Sequence, residues 1–109
     1  MSPIRLTQPT ALILQALATG RRHGFQIMEV TGLQSGTVYP VLRRLERELA
    51  VESEWEDEEE ASAAGRRTRR VYVLTESGQL LAERARQRLA DTQRLLSASG
   101  LADMKPVGD

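Results

Sequence analysis

Residues 35–49, SGTVYPVLRRLEREL, carry the pattern that most restricts what this chain can become. At about 100° per residue, Val38, Leu42, Leu45 and Leu49 fall on one narrow stripe. Gly36, Pro40, Arg43 and Arg47 fall opposite, with Arg44 close by. The spacing predicts a helix from Ser35, whose hydroxyl can cap the first turn, to about Leu49. Pro40 in the second turn removes one backbone donor, at some cost in stability or straightness. One face belongs in a core. The other is bare at its start and arginine-rich further on, which suits close approach to a polyanion.

Around this helix the other elements order themselves. Thr7 can cap a first helix with Pro9 in its opening turn. The run Ala11 to Ala18 is apolar except at Gln15, so this helix should be buried on most sides, with Gly20 as its stop. A short second helix is expected from about Gly24 to Val30, with Phe25, Ile27, Met28 and Val30 as its apolar residues, and Thr31-Gly32 as the turn. Val51 to Trp55 and Arg70 to Leu74 are β-prone and read as a hairpin. The loop between them, from about Glu56 to Arg69, has a tip, Ala61 to Gly65, that contains nothing to fix it and is expected to be mobile. Thr75 can cap a last helix from Glu76 to about Ser97. On it Leu81, Ala85, Leu89, Thr92 and Leu96 share a sector of about 80°, with Glu83, Arg86, Gln87 and Arg94 on the far side. A stripe on a helix of about 30 Å outruns a domain this small and calls for a partner surface. The tail, 100–109, should fray.

Composition removes several classes. The 109 residues suffice for one compact domain and exclude a large multi-layer enzyme. No run of about 18 apolar residues could span a bilayer, and the N-terminus lacks a secretory pattern, so a cytoplasmic location is expected. With no cysteine and the single histidine His23, neither a disulfide framework nor a zinc site is available, and no metal or other cofactor is expected. No serine, histidine and acid arrangement suggests catalysis. Formal net charge is zero, but the charges are segregated. Acids crowd Glu52 to Glu60, and arginines cluster at Arg43 to Arg47 and at Arg66 to Arg70. For a phosphate backbone the local field matters more than the sum.

The predicted fold is therefore mostly α with a small β wing. It reads as a winged helix-turn-helix over 1–75, one C-terminal dimerisation helix over 76–99, and a flexible tail over 100–109. The cationic third helix and the basic arm of the wing are spaced for a major groove and its flanking phosphates. Candidate DNA-binding residues are Ser35, Thr37, Tyr39, Pro40, Arg43, Arg44, Arg47, Arg66, Arg67, Arg69 and Arg70. Candidate dimer-interface residues are Leu81, Ala85, Leu89, Thr92 and Leu96. Plainer readings stand beside these. Arginines on a helix can form a merely solvated face, and the wing arginines can neutralise the acids before them. Both wing roles are compatible if acids such as Glu58 to Glu60 screen the arginines until DNA displaces them. His23 suits a helix cap or a core edge, Trp55 suits core or wing packing, and the leucine stripe could fold back on its own domain.

His23-Gly24-Phe25, the stretch from Gly36 through Tyr39-Pro40 to Leu45-Glu46, Glu52-Ser53-Glu54-Trp55, and Arg70 through Thr75 to Gly78 together resemble the PadR family of bacterial transcriptional regulators. The match covers about residues 9–97 and is most specific at Tyr39-Pro40 and the Leu-Arg-Arg-Leu-Glu that follows. The resemblance implies a homodimeric winged-helix repressor on a pseudo-palindromic operator, with the C-terminal helix in the dimer interface. It also implies that Thr37, Tyr39 and Pro40 face DNA. The stretch between the second and third helices lacks the insert many members carry. Where a glycine usually precedes the wing, this chain has Glu48, Leu49, Ala50 and Val51. One helix follows the wing, as in short-form members. Some short-form relatives hold flat aromatic compounds between paired tryptophans of the dimer helix. Here the lone tryptophan is Trp55, at the wing, so the residues give a small-molecule inducer little support. A winged-helix protein-interaction module and an architectural or recombination accessory factor are the alternative functions.

Overall fold

A computed structural model describes residues 4–98. The tail expected to fray, 100–109, lies outside the described residues. The elements are α1 (Gln8–Ala18), α2 (Gly24–Thr31), α3 (Ser35–Arg47), β1 (Val51–Trp55), α4 (Glu58–Ala63), β2 (Arg70–Leu74) and α5 (Glu76–Ala98). The molecule is mostly helical, with one two-stranded antiparallel wing in which Val51 pairs with Leu74, Ser53 with Tyr72 and Trp55 with Arg70.

Helix α1 starts at Thr7, whose side chain accepts from the Thr10 N–H. It is buried at Ala11, Ile13, Leu14, Ala16 and Leu17. Gln15 interrupts the apolar run because its amide reaches α5, donating to the Ala82 carbonyl at 2.8 Å. Helix α2 runs one residue further than expected and closes at Gly32, in the left-handed region at φ 75°. The residues 20–22 then lie along the free edge of β2, where the Tyr72 N–H donates to the Arg22 carbonyl at 2.9 Å.

The stripe on α3 forms as predicted at three of its four positions: Val38, Leu42 and Leu45 are completely buried. Each such aliphatic side chain contributes about 1.5–3 kcal/mol by leaving water. The fourth position does not follow. The helix ends at Arg47, and Leu49 sits at φ 61° with its side chain 74% exposed. The backbone must reverse there so that Ala50 and Val51 can enter the core. A leucine thus occupies the left-handed site that suits glycine.

The connection across the wing also departs from expectation. Its tip is not featureless: Asp57 caps α4 by accepting from the Glu59 N–H at 2.7 Å, Ala61 is buried, and Gly65 turns the chain at φ 72°. Beyond β2, Thr75 caps α5 through Gly78 N–H and donates its own proton to the Leu49 carbonyl. Gly78 lies so close to β1 that a Cβ there would be 1.8 Å from the Ala50 oxygen.

Helices α1 and α5 pack along one another, and Leu81, Ala82 and Ala85 complete the same core as Ile13, Leu42 and Val51. The α5 stripe expected to face a partner is used in part within the protomer. Leu81 and Ala85 are buried within their own protomer, and Leu89 packs partly against the same core. The packing partner was already present in α1.

Candidate nucleic-acid interface

The exposed surface of α3 is built by the same periodicity that fills the core. Ser35 and Gly36 open the helix and are exposed, and a Cβ on Gly36 would meet nothing within 4 Å. Ser35 is the first helical residue, not the cap expected of it. Gln34 takes the cap position in extended conformation and makes no side-chain capping bond. The Thr37 and Val38 N–H groups turn back to the Gln34 carbonyl, at 2.9 and 3.0 Å, and the start of α3 is left without a side-chain cap. Thr37 is half-buried, and Pro40, Arg43, Arg44 and Arg47 are exposed. None of these three arginines makes a side-chain hydrogen bond or an ion pair among the described residues, which leaves their charge available to an external anion.

Tyr39 stands at the edge of this face, 38% exposed, with its hydroxyl end laid across Gly24 at the start of α2. Only a residue without a Cβ allows that approach. His23 precedes Gly24 as the cap residue of α2, and the Gln26 side chain reaches back to accept from the N–H groups of Arg22 and His23.

The four wing arginines, expected to act as a group, separate into different roles. Arg66 makes a two-pronged ion pair with Glu56, whose carboxylate is only 7% exposed. Glu56 also accepts the Arg69 N–H at 3.0 Å and lies 3.6 Å from the Arg69 guanidinium. The Arg66 hydrogen bond outweighs the burial and holds the Glu56 carboxyl down at about 2, with Arg69 adding to the effect. Arg69 further meets the His23 ring at 3.1 Å. Arg70 donates to Ser53 at 3.0 Å, approaches Glu46 at 3.6 Å, and lies over the Trp55 ring at 5.3 Å. Arg67 is exposed and its guanidinium has no partner among the described residues. The screening expected from Glu58 to Glu60 is replaced by Glu56 and Glu46. The three glutamates form the first turn of α4, and none of them makes an ion pair among the described residues.

Sequence reasoning gave no site role to Glu46, Ser53 or Glu56, although Glu46 and Ser53 lie within the stretches that carry the family resemblance. Glu56 sits in an acidic run where nothing local sets it apart, and its role depends on a residue ten positions away. Among the described residues no group of three or more His, Asp or Glu side chains could hold a metal ion, and no helix is long and apolar enough to cross a membrane.

Residues 13–84 match the family model described as transcriptional regulator PadR-like. No curated protein matches the sequence. Among solved structures, a PadR family transcription regulator from Clostridium difficile R20291 aligns with TM-score 0.67 at 21% identity, covering 84% of this chain and 97% of that one. A ZitR mutant from Lactococcus lactis aligns with TM-score 0.69 at 20% identity, covering 96% of this chain and 66% of that one. PcaV from Streptomyces coelicolor, solved with its natural ligand, aligns with TM-score 0.68 at 23% identity over 84% of this chain and 62% of that one. At these identities the likeness to the solved structures is one of fold: a winged helix followed by a long helix.

Proposed function

The chain belongs to the PadR-like family of transcriptional regulators, and on that premise we propose that it is a repressor binding a pseudo-palindromic operator as a homodimer. Its activity is DNA binding, not catalysis. The observation that supports this reading is the set of exposed guanidinium groups of Arg43, Arg44 and Arg47 on the outward face of α3, which have no hydrogen-bond or ion-pair partner among the described residues.

Ser35, Thr37, Tyr39 and Pro40, at the start of that face, meet bases and phosphates first. The arginines reach the flanks or a guanine edge. Arg67 at the wing meets a neighbouring phosphate, whereas Arg66, Arg69 and Arg70 keep the wing in place. The winged helix-turn-helix of residues 1–75 reads DNA. The distal part of α5, where the stripe continues through Thr92 to Leu96 beyond the core, joins two copies. A two-fold dimer presents two α3 helices, so half-sites lie about 10 base pairs apart, centre to centre, or a multiple of that.

Arg43→Ala tests this. If Arg43 pairs with a guanine, the substitution costs about 1–3 kcal/mol of operator binding and relaxes preference at one base pair of each half-site. A phosphate contact instead lowers affinity evenly across sequences. A single asymmetric footprint, or parental DNA binding by both Arg43→Ala and Tyr39→Ala, would show that α3 does not read DNA through this face. Parental behaviour in all DNA assays together with capture of a protein ligand would favour an interaction module.

A further inference from the structure

The register of the wing places Arg70 on the same face of the hairpin as Val51, Ser53, Tyr72 and Leu74. That face packs on the helices: Val51 and Tyr72 on it are buried. Arg70 is thus directed toward the body of the domain by strand geometry. Three groups then close around it. Its Nε donates to Ser53 Oγ at 3.0 Å, its terminal nitrogen stands 3.6 Å from Glu46 Oε1, and its guanidinium lies 5.3 Å from the centre of the Trp55 ring. Ser53 in turn gives its only hydroxyl proton to Glu46 and accepts from Arg70. Glu46 belongs to α3, next to Arg47 and one turn beyond Arg43.

Resting on the DNA-binding reading above, we infer that Arg70 and Glu46 are positioning residues that fix the angle between α3 and the wing. Arg70 is not a phosphate contact. The pair is about 40% exposed on both sides, at 41% and 36%, and an isolated pair so exposed holds little. The closed arrangement with Ser53 and Trp55 is what makes it directional. A planar, forked guanidinium can serve the serine, the carboxylate and the ring at once, and an ammonium cannot. Through Glu46 the wing is referred to the same helix that carries Arg43, Arg44 and Arg47. DNA that engages both elements therefore meets them at one set spacing.

The test is a salt series of binding to a duplex selected by the parent protein from a random pool, using Arg70→Ala, Arg70→Lys, Glu46→Gln, the Arg70→Ala/Glu46→Gln double variant and Arg67→Ala. Arg70→Ala and Glu46→Gln are each expected to weaken binding about tenfold, with the double variant no weaker than either single one. Their salt slopes stay parental, and Arg70→Lys, which keeps the charge but not the fork, fails to restore affinity. Arg67→Ala, by contrast, flattens the slope by about 1. The inference is overturned if Arg70→Ala flattens the slope by about 1 and lysine rescues it, or if Glu46→Gln binds as the parent does. If Arg43→Ala and Arg67→Ala both keep the parental affinity and slope, the DNA-reading face itself is wrong and the inference falls with it. Urea unfolding of the conservative variants Arg70→Lys and Glu46→Gln separates loss of positioning from loss of fold.

Discussion

The phenol of Tyr39 lies across the Cα of Gly24, so close that a Cβ on the glycine would stand 2.4 Å from the Tyr39 hydroxyl and 2.6 Å from its ring carbons. The contact ties the second turn of α3 to the first residue of α2, and it fixes where a half-exposed side chain at the edge of the DNA-facing surface points. The obstructing atoms are the far end of a side chain that can swing into solvent.

Gly24→Ala should therefore cost little stability, within about 1 kcal/mol, because alanine also suits a helix better than glycine. It should nevertheless weaken operator binding to about the level of Tyr39→Ala. Thermal unfolding alongside a binding titration checks this. A large loss of stability, or DNA binding equal to the parent's, would contradict the role given to Tyr39.

Leu49 offers a change of the opposite sign. It holds a left-handed backbone with most of its side chain in water, so Leu49→Gly removes strain while giving up little apolar burial. The expected gain is about 1 kcal/mol in unfolding free energy. It is read as a higher urea midpoint with an unchanged slope.

The Glu56 clamp sets an acid limit on the wing. Its folded value, about 2, lies below the ordinary carboxylate value of 4.5. Stability from this group is therefore fully present above the unfolded value and is lost as pH falls through the folded one. Unfolding midpoints of the parent and Glu56→Gln should differ by a constant amount above about pH 5 and converge toward about pH 2. A gap that stays constant down to pH 2 would mean that the Arg66 pairing contributes nothing.

Leu95, one turn beyond Thr92 and beside Leu96 at the flank of the stripe, is 69% exposed on the distal half of α5, whereas Leu89 is partly committed to its own core. Leu95→Asp should yield folded monomers by sedimentation, with unfolding of the protomer changed by no more than about 0.5 kcal/mol. An unaltered dimer would move the interface elsewhere. Leu89→Asp is the less discriminating change, since it places a charge against the protomer's own core.

The local patterns carried the architecture. Three leucine- and valine-bearing positions of α3 are buried where periodicity put them, Arg43, Arg44 and Arg47 are exposed opposite, and Thr7 and Thr75 cap the helices they precede. Helical spacing, capping chemistry and β-branched runs act over a few residues, so one sequence suffices to read them. The mostly helical winged fold followed from their order.

What the sequence could not decide is which members of a chemically uniform run find a partner. Among the acids of 52–60, Glu56 takes Arg66 and Arg69, and of the four wing arginines Arg67 alone has no side-chain partner among the described residues. Leu81 and Ala85 share the protomer's core with α1, through packing that brings Gln15 to Ala82 across 67 positions. Leu49 leaves the α3 stripe because the backbone must turn for Ala50 and Val51 to be buried. Each of these outcomes depends on strand register and helix docking. Those juxtapose groups distant in sequence, and burial then gives one pair among many equivalent ones its energetic advantage.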